Sequence, residues 1–574
     1  MRELKGSGNK RKCLAGFVVV WAVLMAAAFY FCTLKEGFHE DEFYTYYSTA
    51  RTNGFYVEDG KWMDRDTIRN EFVVLPGERF QYGLVKQVQS WDVHPPMYYW
   101  VFHTAASLVP GVFSKWIGLS VNLFFHGINL ILLTYLSYLV SGRDVKMAYL
   151  VTLVFGLTPA AMSGVVFIRM YEMLMTFVLL CAVLHVRAIQ GTQGGTEREN
   201  RRFYAKFLLL MAVVTYVGFL TQYYYFIFLF YMAFAFCVYL LWRDRSLYRC
   251  LWYGISQAAA FALAYLTYPS CLGQMFRGQR GAQAAENFFD LSNTFERICF
   301  FLDLLNGYVF GYLFPVIFLA VVALAVRVRR RSEGKTGRDW KTEELRFGVA
   351  FWMLLFAAAG YFLTVSKTAL LLGNTSNRYQ LPVYGIIVFL VLYACRTLWR
   401  QAVVLSGVRR AGGELKKPGL LTFLIKYRKY TEKAAALFCL AMLVTGYLRA
   451  GVVFLYPEAG EAAALAGEQA AANIPVVYVY KPGEEWCIWA VADELMAYDR
   501  VYFVSANSES AITEPTIADA DAVVGYIPLY DDVKDEEAQN MRIPSGNQKL
   551  SWVHLQYPHK YCCEWLYSRE RRDE

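Results

Sequence analysis

Residues 14–44 read LAGFVVVWAVLMAAAFYFCTLKEGFHEDEFY, and this stretch decides the class of the protein. The run from Leu14 to Leu34 carries no charge and is long enough to cross a bilayer as one helix. It follows Lys10-Arg11-Lys12, as a signal peptide would, but it is too long for a signal peptide's apolar segment and lacks a clear small-residue cleavage site. It reads as a retained helix with a cytosolic N-terminus. Three consecutive carboxylates, Glu40, Asp41 and Glu42, then stand at the membrane surface, where acids are expensive to place. No cation lies within the motif, and His39 is the nearest candidate. The ordinary reading of such a triplet is a helix start, where the positive dipole end suits acids.

Working outward, 56% hydrophobic and 17% aromatic residues in 574 exclude an ordinary soluble domain. Further apolar runs fall at roughly 115–140, 147–167, 170–187, 206–222, 223–242, 250–268, 303–326, 347–366, 379–399 and 434–455. The expectation is a polytopic α-helical membrane protein of about eleven transmembrane helices. Alternation then assigns the basic connections to the cytosol: Arg201-Arg202, Arg243 and Arg245, Arg327, Arg329-Arg330-Arg331, Arg409-Arg410, Lys416-Lys417, Lys426 and Arg428-Lys429. Basic inner loops account for the net charge of +9, so no nucleic-acid partner is implied. Two large segments fall outside. One is the loop 35–114, the other the tail 456–574, beyond a membrane module of residues 1–455.

The outer loop holds a second cluster, Trp91-Asp92-Val93-His94-Pro95-Pro96-Met97-Tyr98-Tyr99, stiffened by its diproline. Glu42 to Gly54 and Met97 to Val109 read as helices lying in the membrane plane, with Tyr44, Tyr46 and Tyr47 suited to an interfacial belt. In the tail, Glu458 to Asn473 reads as a helical linker. Strands follow at Val476–Tyr480, Arg500–Ser505, Ala522–Ile527 and 550–556, with helices at Trp486–Tyr498, Thr516–Ala522 and 532–541. That alternation predicts a small extracytoplasmic α/β domain. No CxxC zinc pattern, Walker loop, GxGxxG or HExxH is present.

Several ordered elements together resemble the GT-C superfamily of membrane glycosyltransferases, and most of all glycosyltransferase family 39 with the protein O-mannosyltransferase and ArnT-like group. Asp41-Glu42 follows the first helix, and Asp92-x-His94-Pro95-Pro96 sits later in the same loop. Arg169-Met170-Tyr171 opens the fourth span, Gln222-Tyr223-Tyr224 lies between the fifth and sixth, and Arg378-Tyr379 with Pro382 opens a late one. The match covers about residues 14–400. It departs where relatives often carry Gln-Glu-Ala, since Val166-Phe167-Ile168 stands here, and where many carry histidine in place of Gln222. No role of the relatives' glutamate or histidine carries over, and Glu172, just after the Arg-Met-Tyr element, is the candidate substitute for the glutamate.

The resemblance implies inverting transfer of a sugar from a polyprenyl-phosphate carrier to a lipid, glycan or protein acceptor outside the membrane. The setting is a multi-pass plasma membrane of bacterial type. Inverting displacement needs a carboxylate to take the acceptor's proton, and Asp41 is the candidate base, with Glu42 orienting the acceptor or sharing the task. A phosphate leaving group needs positive charge. Arg378 is the first candidate, with Lys367 and Arg169 behind it. Asp92, His94, Tyr171, Glu172 and Tyr379 complete the expected substrate contacts. His39, His94, Glu40 and Asp92 could instead ligate a divalent ion, but their spacing is not diagnostic and no cofactor is assigned. A transporter or flippase for a charged envelope precursor is the rival from another class, and a non-catalytic adaptor a third. Transporters usually keep ionisable groups near the membrane midplane, whereas these acids cluster in one outer loop.

Overall fold

The computed structural model describes residues 7–50, 56–191, 196–332, 347–408, 428–508, 512–529, 547 and 549–569. The chain divides into two compact units. One comprises Met1–Cys32, Asp92–Tyr98 and Leu119–Val453; the other comprises Thr33–Trp91, Tyr99–Gly118 and Phe454–Glu574.

The first unit is helical. Among the described residues of the chain, seven helices are long and apolar enough to cross a membrane: Cys13–Thr33, Lys115–Val140, Tyr171–Gly191, Glu197–Thr221, Tyr224–Trp242, Val349–Thr368 and Leu381–Ala402. The protein is a polytopic membrane protein. The expected span 147–167 is a broken pair, Val145–Gly156 and Pro159–Val166, bent by 62°. Its sequence explains the break: Thr158 caps the second helix by accepting from the Ala161 N–H, and Pro159 occupies the first helical position, where its missing N–H costs nothing. The expected span 303–326 is likewise two helices, Thr294–Tyr308 and Phe314–Ser332. Between them Gly311 takes φ +53°, and a Cβ there would sit 1.9 Å from the Met442 carbonyl oxygen, so only glycine fits. The helices expected near 250–268 and 434–455 form as Leu247–Thr267 and Arg428–Arg449. The basic residues Arg409, Arg410, Lys416, Lys417 and Lys426 lie outside the described residues.

The second unit is built on a six-stranded sheet. Its strands are β1 (Lys61–Asp64), β2 (Val476–Tyr480), β3 (Arg500–Ser505), β4 (Ala522–Pro528), β5 (Trp552–Pro558) and β6 (Cys562–Ser568). The order is β1-β3-β2-β4-β6-β5. The three inner strands are parallel, and β1 on one side and the β5–β6 hairpin on the other are antiparallel. Strand β2 is buried at all five positions, which is why it reads as an unbroken apolar run. Val477, Val479, Ile517, Val523, Ile527 and Tyr567 form the core on one face. Strand β1 comes from the segment 35–114 and pairs Lys61 with Phe503 and Asp64 with Arg500, so part of that segment is a structural element of this sheet. The helix expected at 532–541 lies outside the described residues, as does Gly54.

The helix Glu40–Ala50 belongs to this unit too. Tyr46 and Tyr47 are buried rather than belt residues. The Tyr46 hydroxyl donates to the Ser114 carbonyl at 2.7 Å, and Tyr44 and Tyr47 pack against Trp489 with centroids 4.3 and 4.5 Å away.

Candidate functional site

The three consecutive acids have three different environments, all within the second unit. Glu42 is fully buried and ion-paired with the equally buried Lys35 at 2.9 Å. The same carboxylate oxygen accepts the His39 N–H at 2.6 Å, the return half of a capping box that ties down the helix start. Lys35 also donates to the Phe454 carbonyl at 2.8 Å. Glu40 accepts from Lys560 through both oxygens, at 2.7 and 2.8 Å, and from the Tyr561 hydroxyl at 2.7 Å. Burial, and then the hydrogen bond to Glu40, push the Tyr561 phenol pKa well up, so it stays a donor. Asp41 remains 29% exposed, with its carboxylate 3.6 Å from His39 Nδ1. That ring nitrogen accepts the Asp41 N–H at 3.0 Å.

Sequence reading therefore found the triplet but not its sorting. Lys35 stands seven residues before Glu42, a spacing that announces nothing without the turn between them. Lys560 and Tyr561 come from the tip of the β5–β6 hairpin, some five hundred residues away, and leave no local signal. Of the possible metal ligands, Glu40 is engaged by the Lys560 ammonium and His39 Nδ1 by a backbone N–H.

The remaining candidates lie in the first unit. Arg378 sits in a short 3₁₀ segment, Gly373–Tyr379, leading into the helix that starts at Leu381. It is 6% exposed, with its guanidinium 5.1 Å from the Phe167 ring centroid and 5.1 Å from that of Tyr379. It donates to the Tyr379 hydroxyl at 3.2 Å. Tyr171 stacks on Phe167 and meets Tyr379 edge-on, and Tyr224 meets Tyr379 from another side. The Arg-Met-Tyr, Gln-Tyr-Tyr and Arg-Tyr elements thus converge on one aromatic cage. The segment under it is pinned by Tyr361 donating to the Tyr379 carbonyl at 3.0 Å and Tyr384 to Asn377 at 2.8 Å. Gln380 donates to the Phe362 carbonyl and to Ser366, at 3.0 and 3.1 Å.

Lys367 is used differently. Its ammonium donates to the Asp290 carbonyl at 2.6 Å, Asn293 Oδ1 at 2.6 Å and Thr294 Oγ1 at 2.9 Å, which occupies all three of its N–H groups. With Arg297, which donates to the Ser366 and Ala369 carbonyls, it clamps the end of the helix Val349–Thr368. Arg169 is buried in the turn before Tyr171. Glu172 is buried among Asn129, whose amide donates to its Oε2 at 2.7 Å, and His126, 3.4 Å from the same oxygen. Asp92 is held by its backbone: Gln274 donates to its carbonyl at 2.6 Å. His94 is half-buried beside the buried Pro95 and Pro96.

No protein-family model matches the chain, and no curated protein matches it. Among solved structures, the chain is similar to ArnT from Cupriavidus metallidurans, crystallised with undecaprenyl phosphate, at 13% identity and a TM-score of 0.47, covering 98% of both chains. It is also similar to the archaeal oligosaccharyltransferase AglB from Archaeoglobus fulgidus, in complex with an inhibitory peptide and a dolichol-phosphate. That match has 11% identity and a TM-score of 0.45, over 97% of this chain and 74% of AglB. The similarity is one of fold.

Proposed function

We propose that the protein transfers a sugar from a polyprenyl-phosphate donor to an acceptor on the outer face of the membrane, with inversion at the anomeric carbon. The observation that carries this reading is the sorting of the acidic triplet. Glu42 is fully buried on Lys35 and Glu40 is held by Lys560 at 21% exposure, while Asp41, the most exposed of the three at 29%, stands 3.6 Å from the His39 ring. In the reaction Asp41 takes the proton of the acceptor's attacking group as that group bonds to the anomeric carbon. The carbon–oxygen bond to phosphate breaks, and the polyprenyl phosphate leaves with the electron pair. Arg378 meets the charge on the phosphate, for which a planar guanidinium packed near the Phe167 and Tyr379 rings is preorganised. Glu42 acts through the helix it anchors rather than on the acceptor, and Lys367 acts through the turn it clamps. Asp92, His94, Arg169, Tyr171 and Tyr379 line the substrate path in this reading, and the C-terminal unit faces outward.

Asp41→Asn, which preserves size, tests it with purified protein, a polyprenyl-phosphate sugar and a matched acceptor. Loss of general-base assistance lowers turnover about 10²- to 10⁴-fold, with donor binding retained. A fully active variant removes Asp41 as the base. The buried Glu172–His126 contact favours the transport reading, since ionisable groups inside a bundle often mark a path. Substrate movement into sealed vesicles without any glycosyl product would establish that reading instead.

A further inference from the structure

Away from the acidic motif, the second unit contains a buried cluster that the proposed reaction does not use. Glu494 lies on the short helix Ala492–Leu495, His559 directly follows β5, and Glu564 lies in β6. Their ligand atoms fall within 4.8 Å of one another, the one such histidine, cysteine and acid cluster among the described residues. His559 Nε2 is 3.2 Å from Glu494 Oε2 and 3.9 Å from Glu564 Oε2. These are charge contacts without hydrogen-bond geometry: neither His559 Nε2 nor Glu564 Oε2 has a hydrogen-bond partner. Glu564 is wholly buried, and a buried carboxylate oxygen left unsatisfied is costly.

The surroundings hold the carboxylates rather than neutralise them. Gln469 donates to Glu564 Oε1 at 2.9 Å and is itself held by the Tyr498 hydroxyl. Tyr526 donates to Glu494 Oε2 at 3.1 Å. Such outer donors orient ligands around a metal. With the imidazole neutral, the cluster carries two negative charges; a proton on His559 leaves one, and a divalent ion leaves none. Ligands about 2.0–2.1 Å from a tetrahedral zinc lie roughly 3.3 Å apart. The Glu494 contact already has that spacing, and the Glu564 contact must shorten by roughly half an ångström.

We propose that Glu494, His559 and Glu564 bind one divalent transition-metal ion, zinc by ligand type, as a structural staple. A nitrogen ligand with two carboxylates suits zinc better than magnesium or calcium, which take all-oxygen shells. Three protein ligands leave the fourth position of a tetrahedral ion to a water or to a second carboxylate oxygen, and the burial of all three side chains shields that position from bulk solvent. The ion ties the β5–β6 hairpin to the helix at 492. The hairpin turns over Lys560 and Tyr561, with the His559 N–H donating to the Cys562 carbonyl at 2.9 Å, and those two tip residues hold Glu40.

The test uses the full chain in detergent, purified without a metal-binding tag, and Zn²⁺ or Co²⁺ as the added ion. Elemental analysis after dialysis should find one zinc per chain, and Co²⁺ should give the visible absorption of a tetrahedral site. Chelation should lower the melting temperature, and zinc, but not magnesium, should restore it. His559→Ala and the isosteric Glu564→Gln should each reduce bound zinc to under about a tenth. Gln469→Leu should weaken zinc binding about 10- to 100-fold while keeping one site. Wild-type protein that binds no zinc and shows no zinc-dependent melting overturns the proposal, and that result does not depend on any variant folding. A full equivalent retained by the double variant His559→Ala/Glu564→Gln places the metal elsewhere and overturns it as well.

Discussion

Glu42 and Lys35 meet as fully buried ions at 2.9 Å, whereas Arg378, almost as buried, has its guanidinium 5.1 Å from the ring centroids of Phe167 and Tyr379. The first arrangement fixes a charge by pairing it, with the His39 N–H adding a further donor. The second sets a charge against two ring faces, which attract a cation without neutralising it. A paired carboxylate is a poor proton acceptor and a good anchor. A guanidinium packed against ring faces keeps its positive charge, which an anion can meet. Arg378 differs in the same way from Lys367, whose three N–H groups all go to neutral oxygens.

The largest effect expected from breaking this contrast is the loss of turnover in Asp41→Asn. Glu42→Gln separates anchor from reactant: it should unsettle the helix start and lower the melting temperature, with turnover falling only as far as folded protein falls. Activity normalised to folded protein checks this, and a Glu42→Gln enzyme that is folded yet inactive would move the base assignment to Glu42.

Next comes the pair itself. Lys35→Met leaves Glu42 buried without its cation, which costs about 3–5 kcal/mol. Replacing both partners, Lys35→Met with Glu42→Met, should recover most of that loss, because the desolvation penalty disappears along with the attraction. Thermal melts of the three proteins check it. Equal destabilisation of the single and double variants would show that the hydrogen bonds to His39 and Phe454, not the charges, hold the helix start.

Arg378→Ala should weaken donor recognition by about 1.5–3 kcal/mol, the range for a hydrogen bond to a charged group, or roughly 10- to 100-fold. Arg378→Lys should recover only part of it, since lysine lacks the planar fork. Donor titrations at matched expression are the measurement, and Lys367→Met is the control that sharpens the contrast. If Lys367 is a clamp, its loss lowers stability without changing donor affinity in the protein that remains folded.

Much of this was legible in the sequence, unevenly. Strands β2 and β3 were read to the residue, because inner parallel strands are continuous apolar runs bounded by turn residues. Strand β1 was not, since Lys61-Trp62-Met63-Asp64 is short and mixed, and is a strand only by pairing with residues 500–503. Strand β6 was missed for a related reason: its Cys562-Cys563-Glu564 start lacks a strand's alternation, and Glu564 is buried for the cluster it joins. The bend at Thr158-Pro159 was written in the sequence but hidden by an apolar run long enough to span. Motif reading found the arginine and tyrosines of the cage as separate short elements; that they share one cage is a tertiary fact. The partners of the acids were illegible, because Lys560 reaches Glu40 only through the fold of the sheet.

The smallest expected effect concerns that last pair. Lys560 is 60% exposed, so its ion pair with Glu40 is largely screened, and Lys560→Ala should change stability by no more than about 1 kcal/mol. Tyr561→Phe should cost about 0.5–1.5 kcal/mol, because its hydroxyl bond to Glu40 is partly buried and water replaces it poorly. Raising salt from 0.05 to about 0.5 M should mimic the lysine variant and leave the tyrosine effect in place, since screening acts on exposed charges. If Glu40 only anchors the hairpin tip, neither variant changes turnover more than about twofold, well below the loss expected at a catalytic base. A turnover loss in Lys560→Ala comparable to that of Asp41→Asn would mean that neutralising Glu40 sets the charge felt by Asp41. In that case the triplet acts as one coupled acid group rather than as two anchors flanking a base.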